Sequence, residues 1–144
     1  MFFPSTHTIL NEDETTNLAN KFSKVLKIGD LVVLNGNLGT GKTFFVKKVL
    51  ETFAVYNVSS PTFAIVNQYV GKEKYYHLDF YRIEKINELY DIGIEEYLND
   101  ADSISFIEWG NLFADILPKK RIEINFTLNS DLSRSIEFIK YEWT

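Results

Sequence analysis

The sequence predicts an α/β fold, a three-layer domain with a mixed, partly antiparallel sheet. Three observations predict it. The apolar run 31–34 leads into a glycine-rich loop and then a helix-like segment, as in a strand-loop-helix unit. The run 104–107 has the length and continuity of a second buried strand. Residues 121–128 and 135–141 alternate apolar and polar side chains around a turn-forming stretch, which is typical of an antiparallel hairpin.

The first half of the chain alternates predicted strands and helices. Residues 6–10 are a candidate short strand. Asn11, followed three positions later by a glutamate, is a plausible helix start, and apolar residues recur at helical spacing until Gly29. A strand over 31–35 comes next. The helix after it covers 41–53, where apolar side chains again recur three and four positions apart.

The second half begins with two strand-like runs, 63–70 and 74–78, separated by a glycine-lysine turn. This pattern predicts a β-hairpin. Two short helices are predicted over 84–90 and 94–98, with a break at the glycine between them. A helical turn over 111–117 ends at a proline, before the final hairpin.

Length and composition favour one folded domain spanning residues 1–144. Apolar residues make up 45% of the chain and aromatic residues 15%, which supplies a large core and excludes wholesale disorder. The chain has no cysteine, so we expect neither disulfides nor a thiolate metal site, in keeping with the cytoplasm. The first residues do not have the pattern of a signal peptide, and no apolar run is long enough to cross a membrane.

The charge argues against autonomous nucleic-acid binding. Fifteen basic and twenty acidic residues give a net charge of -5. Proteins that bind nucleic acid unaided usually present a basic face, because neutralising phosphates supplies much of the affinity. If this protein acts on nucleic acid, we expect another subunit to supply the positive surface.

The loop between the second predicted strand and the helix after it is a complete phosphate-binding loop. Its glycines allow a backbone path in which amide groups point at a bound polyphosphate, and the helix N-terminus adds positive potential. Lysine supplies a mobile charge for the outer phosphates, and the hydroxyl that follows it is a magnesium ligand. The loop predicts a P-loop NTPase-like domain whose nucleotide-binding residues include Gly36, Asn37, Leu38, Gly39, Thr40, Gly41, Lys42 and Thr43.

Two acidic residues follow predicted strands and are candidates for chemistry. Glu108 ends the apolar strand 104–107, the position at which nucleotide-hydrolysing proteins present a carboxylate beside the phosphate loop. Asp79 ends another strand, so the two carboxylates could share magnesium and the attacking water. Arg82 fits a phosphate contact and a local ion pair with Asp79 equally well. His77 is interpreted as a packed or exposed histidine, since two histidines and no cysteine make zinc binding a poor fit.

The sequence leaves the roles of two further residues undecided. Thr62 follows a proline in the loop after the phosphate-loop helix, where a threonine either senses the γ-phosphate or belongs to an ordinary turn. Trp109 either stacks on a base or packs beneath the site, and packing is the more common fate of a single tryptophan.

Four motifs, in this order and spacing, closely resemble the TsaE (YjeE) family of bacterial ATPases. They are residues 36–43, 60–63, 77–82 and 107–109, and the resemblance spans nearly the whole chain. It implies an ATPase that binds ATP and Mg²⁺ and acts with the TsaD and TsaB subunits to form threonylcarbamoyladenosine beside the anticodon of transfer RNA. It implies contact with transfer RNA only through that complex, and no membrane.

The same resemblance implies roles for individual residues. Lys42 would bind phosphates, while Thr43 and Glu108 would hold magnesium. Asp79 and Thr62 would belong to two switch-like elements. We take Glu108, Asp79 and Lys42 as the candidate catalytic residues. Asn11 and Arg134 would complete the nucleotide pocket, and Trp109 would lie near the nucleotide and affect hydrolysis or docking. Arg82, from its position beside Asp79, is also counted among the candidate nucleotide-binding residues.

Two rival classes are a small-molecule kinase and a nucleotide-dependent switch. A kinase needs several arginines in a lid to screen the transferred phosphate, yet the chain has only Arg82, Arg121 and Arg134. A switch specific for guanine would be expected to carry an Asn-Lys-x-Asp segment, which the sequence lacks. Both observations favour hydrolysis of ATP.

Overall fold

A seven-stranded sheet runs through the computed structural model, which describes residues 2–58 and 65–142. The strands lie in the order β1-β7-β6-β2-β5-β4-β3. Their bounds are β1 Ser5–Ile9, β2 Leu31–Asn35, β3 Val66–Val70, β4 Lys74–Asp79, β5 Ser103–Glu108, β6 Arg121–Leu128 and β7 Arg134–Tyr141. The helices are α1 Glu12–Ser23, α2 Lys42–Thr52, α3 Ile86–Asp91 and α4 Ile94–Leu98, with a 3-10 helix over Gly110–Ile116.

The sheet is parallel at its centre and antiparallel at both sides. Strand β2 lies between β5 and β6 and is parallel to both, and β4 continues the parallel part beyond β5. The hairpin of β6 and β7, the β1–β7 pair and the β3–β4 hairpin are antiparallel. This confirms the predicted mixed sheet. Since the carboxyl ends of β2, β4 and β5 meet at one edge, the side chains that follow these strands are brought together there.

Helices cover both faces of the sheet, which confirms the predicted three layers. Strand β2 shows why both faces need cover, because all four of its apolar side chains are buried. Val32 and Leu34 pack in the core with α1 and α2, while Leu31 and Val33 pack with α3, α4 and the 3-10 helix. Across residues 2–58 and 65–142, no helix has the length and apolar character needed to cross a membrane.

The helix starts follow local chemistry. The Asn11 side chain accepts a hydrogen bond from the Glu14 amide at 2.9 Å, and the Glu14 carboxylate accepts one from the Leu10 amide at 2.9 Å. This reciprocal cap satisfies amides that have no partner inside the helix, and it confirms the predicted start of α1. The predicted strand 63–70 is described only from Ile65 onward, and β3 begins at Val66. The predicted helical turn is a 3-10 helix, with a kink at Phe113.

Phe22 is an anchor of the core between the sheet and α1. Its ring is fully buried and lies 5.1 Å from the Phe138 ring and 5.8 Å from the Phe45 ring, measured between centroids. We expect Phe22→Ala to lower the free energy of unfolding by about 3–5 kcal/mol, because it leaves a cavity that neighbouring rings fill only partly. Urea unfolding measures this. The control Leu10→Ala, at a side chain that is 72% exposed, should cost less than about 0.5 kcal/mol.

Candidate functional site

The glycine-rich loop turns tightly between β2 and α2. Gly36 has a φ of 149°, and a Cβ placed there would lie 2.7 Å from the Phe126 carbonyl oxygen and 2.9 Å from Thr40 Oγ1. Only glycine fits this approach. The Thr40 hydroxyl also donates to the Asn37 carbonyl at 2.8 Å, which fixes the loop from within.

Helix α2 presents an uncapped N-terminus. Gly41 occupies the N-cap position with a φ of 102°, and no side chain of the described residues caps the helix. The first amide to reach an acceptor inside the turn is that of Phe45, which donates to the Gly41 carbonyl at 2.9 Å. The first turn has no acidic residue and begins with Lys42. Positive charge from the helix dipole and the lysine therefore converges on one point, which favours an anion there.

The Lys42 ammonium group is held over its own loop. Its Nζ donates to the Gly36 carbonyl and lies 3.4 Å from the Asn37 carbonyl oxygen. It also lies 3.8 Å from the centroid of the Trp109 ring, a cation-π contact. Burial lowers the pKa of Lys42, and the negative charges of Glu108 and Asp79 oppose this shift. Carbonyls and a ring are weaker partners for an ammonium group than a phosphate would be.

Glu108 is the last residue of β5 and is only 3% exposed. The Thr43 hydroxyl lies 2.9 Å from Oε1 and 2.8 Å from Oε2 of this carboxylate. His77 Nε2 lies 2.6 Å from the same Oε2. Hydrogen bonds from α2 and from β4 thus compensate the burial of the carboxylate.

Asp79 ends β4 directly beside Glu108, since the two are paired in the register of the parallel strands. Its Oδ1 accepts a hydrogen bond from the Tyr81 amide at 2.9 Å. Burial raises the pKa of Asp79, and the Glu108 charge adds to this rise, while the Tyr81 amide opposes it. The site therefore contains two neighbouring carboxylates of which one is destabilised in its charged form.

Trp109 forms one wall of the site with a strained backbone. Its φ of 62° is in the left-handed region, and its amide donates to the Leu34 carbonyl at 3.2 Å, which ties it to β2. The Tyr81 ring packs on the indole at a centroid distance of 4.9 Å. These rings border an open cleft of about 310 Å³, whose lining is Leu38, Gly39, Thr40, Gly41, Lys42, Thr43, Phe44, Asp79, Tyr81, Glu108 and Trp109.

A second, smaller hollow lies beside the same loop. Its volume is about 170 Å³, and it shares Thr40, Gly41 and Phe44 with the cleft. Arg134 lines it, with Nη2 donating to the Gly39 carbonyl at 3.3 Å. The buried Arg134 Nε has no hydrogen-bond acceptor within the described part of the chain. The remaining lining residues are Glu12, Thr15, Phe126 and Ile136.

The structure brings most of the predicted site residues together and leaves others apart. Glu108, Asp79 and Trp109 lie with the loop around the cleft, and Arg134 lies at the hollow. The Asn11 side chain caps α1, one residue before Glu12 of the hollow. Arg82 is exposed and forms no ion pair with Asp79 among the residues described. Thr62 lies outside the described residues.

Three neighbours of the site were not predicted to belong to it. His77 contacts Glu108, Tyr81 packs on Trp109, and Phe44 lines both cavities. The sequence does carry a signal for His77. It lies two positions before Asp79 on a strand, and alternate residues of a strand share a face.

The donor set fits a magnesium ion. Thr43 offers a hydroxyl oxygen and Glu108 offers carboxylate oxygens, and the Asp79 carboxylate lies beside them at the same sheet edge. Mg²⁺ usually binds only a few oxygen ligands from a protein, and phosphate oxygens and water supply the rest. A cation would also offset the repulsion between the two carboxylates and an incoming anion.

Residues 9–136 match the family model described as Threonylcarbamoyl adenosine biosynthesis protein TsaE. A Rickettsia bellii protein named tRNA threonylcarbamoyladenosine biosynthesis protein TsaE is 40% identical, with 90% of this chain and 92% of that protein covered. The Bacillus subtilis protein of the same name is 36% identical, with 90% and 81% covered. The crystal structure of Bacillus subtilis YdiB has a TM-score of 0.81 and 28% identity, with 99% of this chain and 88% of that chain covered. These matches confirm the predicted fold class and family resemblance.

The raised pKa of Asp79 predicts a dependence of stability on pH. Because its pKa in the folded protein exceeds the ordinary value of 3.8, the charged form is disfavoured by folding. This cost to stability is absent at pH values below 3.8. It develops as the pH rises from 3.8 through the higher pKa of Asp79 in the folded protein. We expect Asp79→Asn to raise the free energy of unfolding at pH 7 in the absence of nucleotide, and the gain to vanish near pH 3, as measured by urea unfolding.

The control is a variant for which we expect the opposite change in stability. The hydroxyl and amide of Ser133 lower the pKa of the exposed Asp131, so Asp131→Asn should lower the stability at pH 7. If Asp79→Asn lowered the stability as well, the cleft would not disfavour the charge of Asp79.

Proposed function

The chain belongs to the TsaE family, and we propose on that premise that it is the ATPase component of the machinery that forms N6-threonylcarbamoyladenosine in transfer RNA. In this proposal it binds and hydrolyses Mg-ATP in the cytoplasm while docked on TsaD and TsaB subunits. The net charge of -5 supports contact with transfer RNA through those subunits rather than by this chain alone.

One observation carries the assignment of the chemistry. The Thr43 hydroxyl at the start of α2 and the Glu108 carboxylate at the end of β5 are in hydrogen-bond contact at 2.8 and 2.9 Å. In a phosphate-loop protein these two oxygens are the protein's contribution to a magnesium site beside the β- and γ-phosphates. A bound Mg²⁺ would supply neutralisation of the charge that develops on the phosphate oxygens.

Lys42 would bind the phosphates by exchanging its present acceptors. In the structure its ammonium group contacts loop carbonyls and the Trp109 ring, all in reach of the cleft. A polyphosphate in the cleft would offer charged acceptors to the same donors, and charge-assisted bonds are stronger than those to carbonyls. The uncapped amides of α2 would bind the same anion.

Asp79 is the residue best placed to orient the attacking water. It lies next to Glu108 and lines the cleft, and burial raises its pKa. A carboxylate whose pKa is raised is a better proton acceptor near neutral pH. We therefore assign Asp79 to the water and Glu108 to the metal.

The hollow beside Arg134 would receive the nucleoside. It adjoins the cleft through Thr40, Gly41 and Phe44, so one ligand could occupy both. The Phe44 ring offers a surface on which a base can stack. Arg134 Nε is a buried donor without an acceptor in the residues described, and a nucleoside oxygen or ring nitrogen would satisfy it.

Replacing Glu108 tests the proposal. We expect Glu108→Gln to lower magnesium-dependent phosphate release from ATP at least about tenfold in the presence of TsaD and TsaB, because the amide lacks the charge that holds the metal. Steady-state phosphate release measures this. The matched control is Glu123→Gln, a strand glutamate on β6 whose contacts are Arg121 and Asn35. Equal rates for the wild type and Glu108→Gln would refute the proposal.

A further inference from the structure

We propose that His77 is a positioning residue that fixes the Glu108 carboxylate for a divalent cation without contacting the cation itself. The inference rests on the proposed function, and nothing in the motifs alone required it. The proposed roles of the phosphate loop, Glu108 and Asp79 do not explain why a histidine is buried beside them.

The sheet register brings His77 to Glu108 from the side. His77 on β4 pairs with Phe106 on β5, and Glu108 follows two residues later on the same face of that strand. The imidazole reaches along the sheet, and its Nε2 lies 2.6 Å from Glu108 Oε2. His77 is absent from the lining of the cleft, whereas Asp79 and Glu108 belong to it.

The contact with Glu108 is the one hydrogen bond that the buried imidazole makes among the described residues. His77 has no exposed surface, and its Nδ1 has no hydrogen-bond partner in the described chain. An apolar side chain would avoid leaving that polar atom unsatisfied. The bond to Glu108 is the compensation, and it requires the tautomer that carries hydrogen on Nε2.

Counting lone pairs shows what the bond does to the carboxylate. The N–H of His77 occupies one lone pair of Glu108 Oε2, while the single hydrogen of the Thr43 hydroxyl is shared between Oε2 and Oε1. Oε1 faces Thr43 alone, so a lone pair remains for a cation or its bound water. Anchored through Oε2, the carboxylate cannot rotate freely, and outer partners of this kind set metal affinity.

Two substitutions at position 77 separate positioning from packing. We expect His77→Leu to raise the Mg²⁺ concentration needed for half-maximal enhancement of ADP binding about 10–100-fold, the usual cost of losing an outer-shell partner. ADP affinity in EDTA should stay within about twofold, because the loop and Lys42 are untouched. His77→Gln keeps an N–H donor of similar reach, and it should return the Mg²⁺ requirement to within about threefold of the wild type. Calorimetry with ADP at a series of Mg²⁺ concentrations measures all three quantities.

Tyr75→Phe is the matched control, since Tyr75 is also fully buried and lies two residues earlier on the same face of β4. It should leave the Mg²⁺ requirement unchanged. A wild-type protein whose ADP binding ignores Mg²⁺ would overturn the proposed function and this inference together. Mg²⁺-dependent binding that His77→Leu retains within about twofold would overturn the role of His77 alone.

A measurement on the unsubstituted chain decides the question if His77→Leu does not fold. The chain has only two histidines, so the imidazole ¹⁵N signals of His77 and His7 can be told apart. The inference requires that His77 carry its hydrogen on Nε2, with the N–H donated to Glu108. A His77 ring protonated on Nδ1 alone would overturn it, because such a ring cannot donate to the carboxylate.

Discussion

The burial of the Glu108 carboxylate is the constraint on which the rest of the site depends. A carboxylate that is 3% exposed is costly unless hydrogen bonds replace the water it has lost. The replacements come from Thr43 on α2 and His77 on β4, so one charge ties a helix and two strands together. Any shift of α2 along the sheet would break the Thr43 contact, and any slip of β4 against β5 would remove the imidazole.

The opposite charge of the site is that of Lys42, which lines the same cleft as Glu108. Lys42 contacts only carbonyls of its own loop and the indole ring of Trp109 among the described residues, and the N-cap residue of α2 offers no side-chain cap. Asp79 is likewise held where its charge is disfavoured. A metal-bound polyphosphate, the ligand that we propose, would relieve both of these unfavourable arrangements.

The family assignment and the geometry of the site agree with each other. Matches over residues 9–136 establish the family, and the geometry says which atoms of this chain are available for its chemistry. The cleft and the hollow adjoin across the loop, so the phosphates and the nucleoside of the proposed ligand would have separate, connected places.

The sequence by itself determined the loop, the helix that follows it and the strand ends that carry Glu108 and Asp79. These features depend on neighbouring residues, because glycine conformation, capping and apolar periodicity act over a few positions. Only the tertiary structure decided that His77 bonds to Glu108, 31 positions away, and that Arg134 reaches Gly39, 95 positions away. Such pairs depend on strand order and register, which are set by packing both faces of the whole sheet rather than by any local pattern.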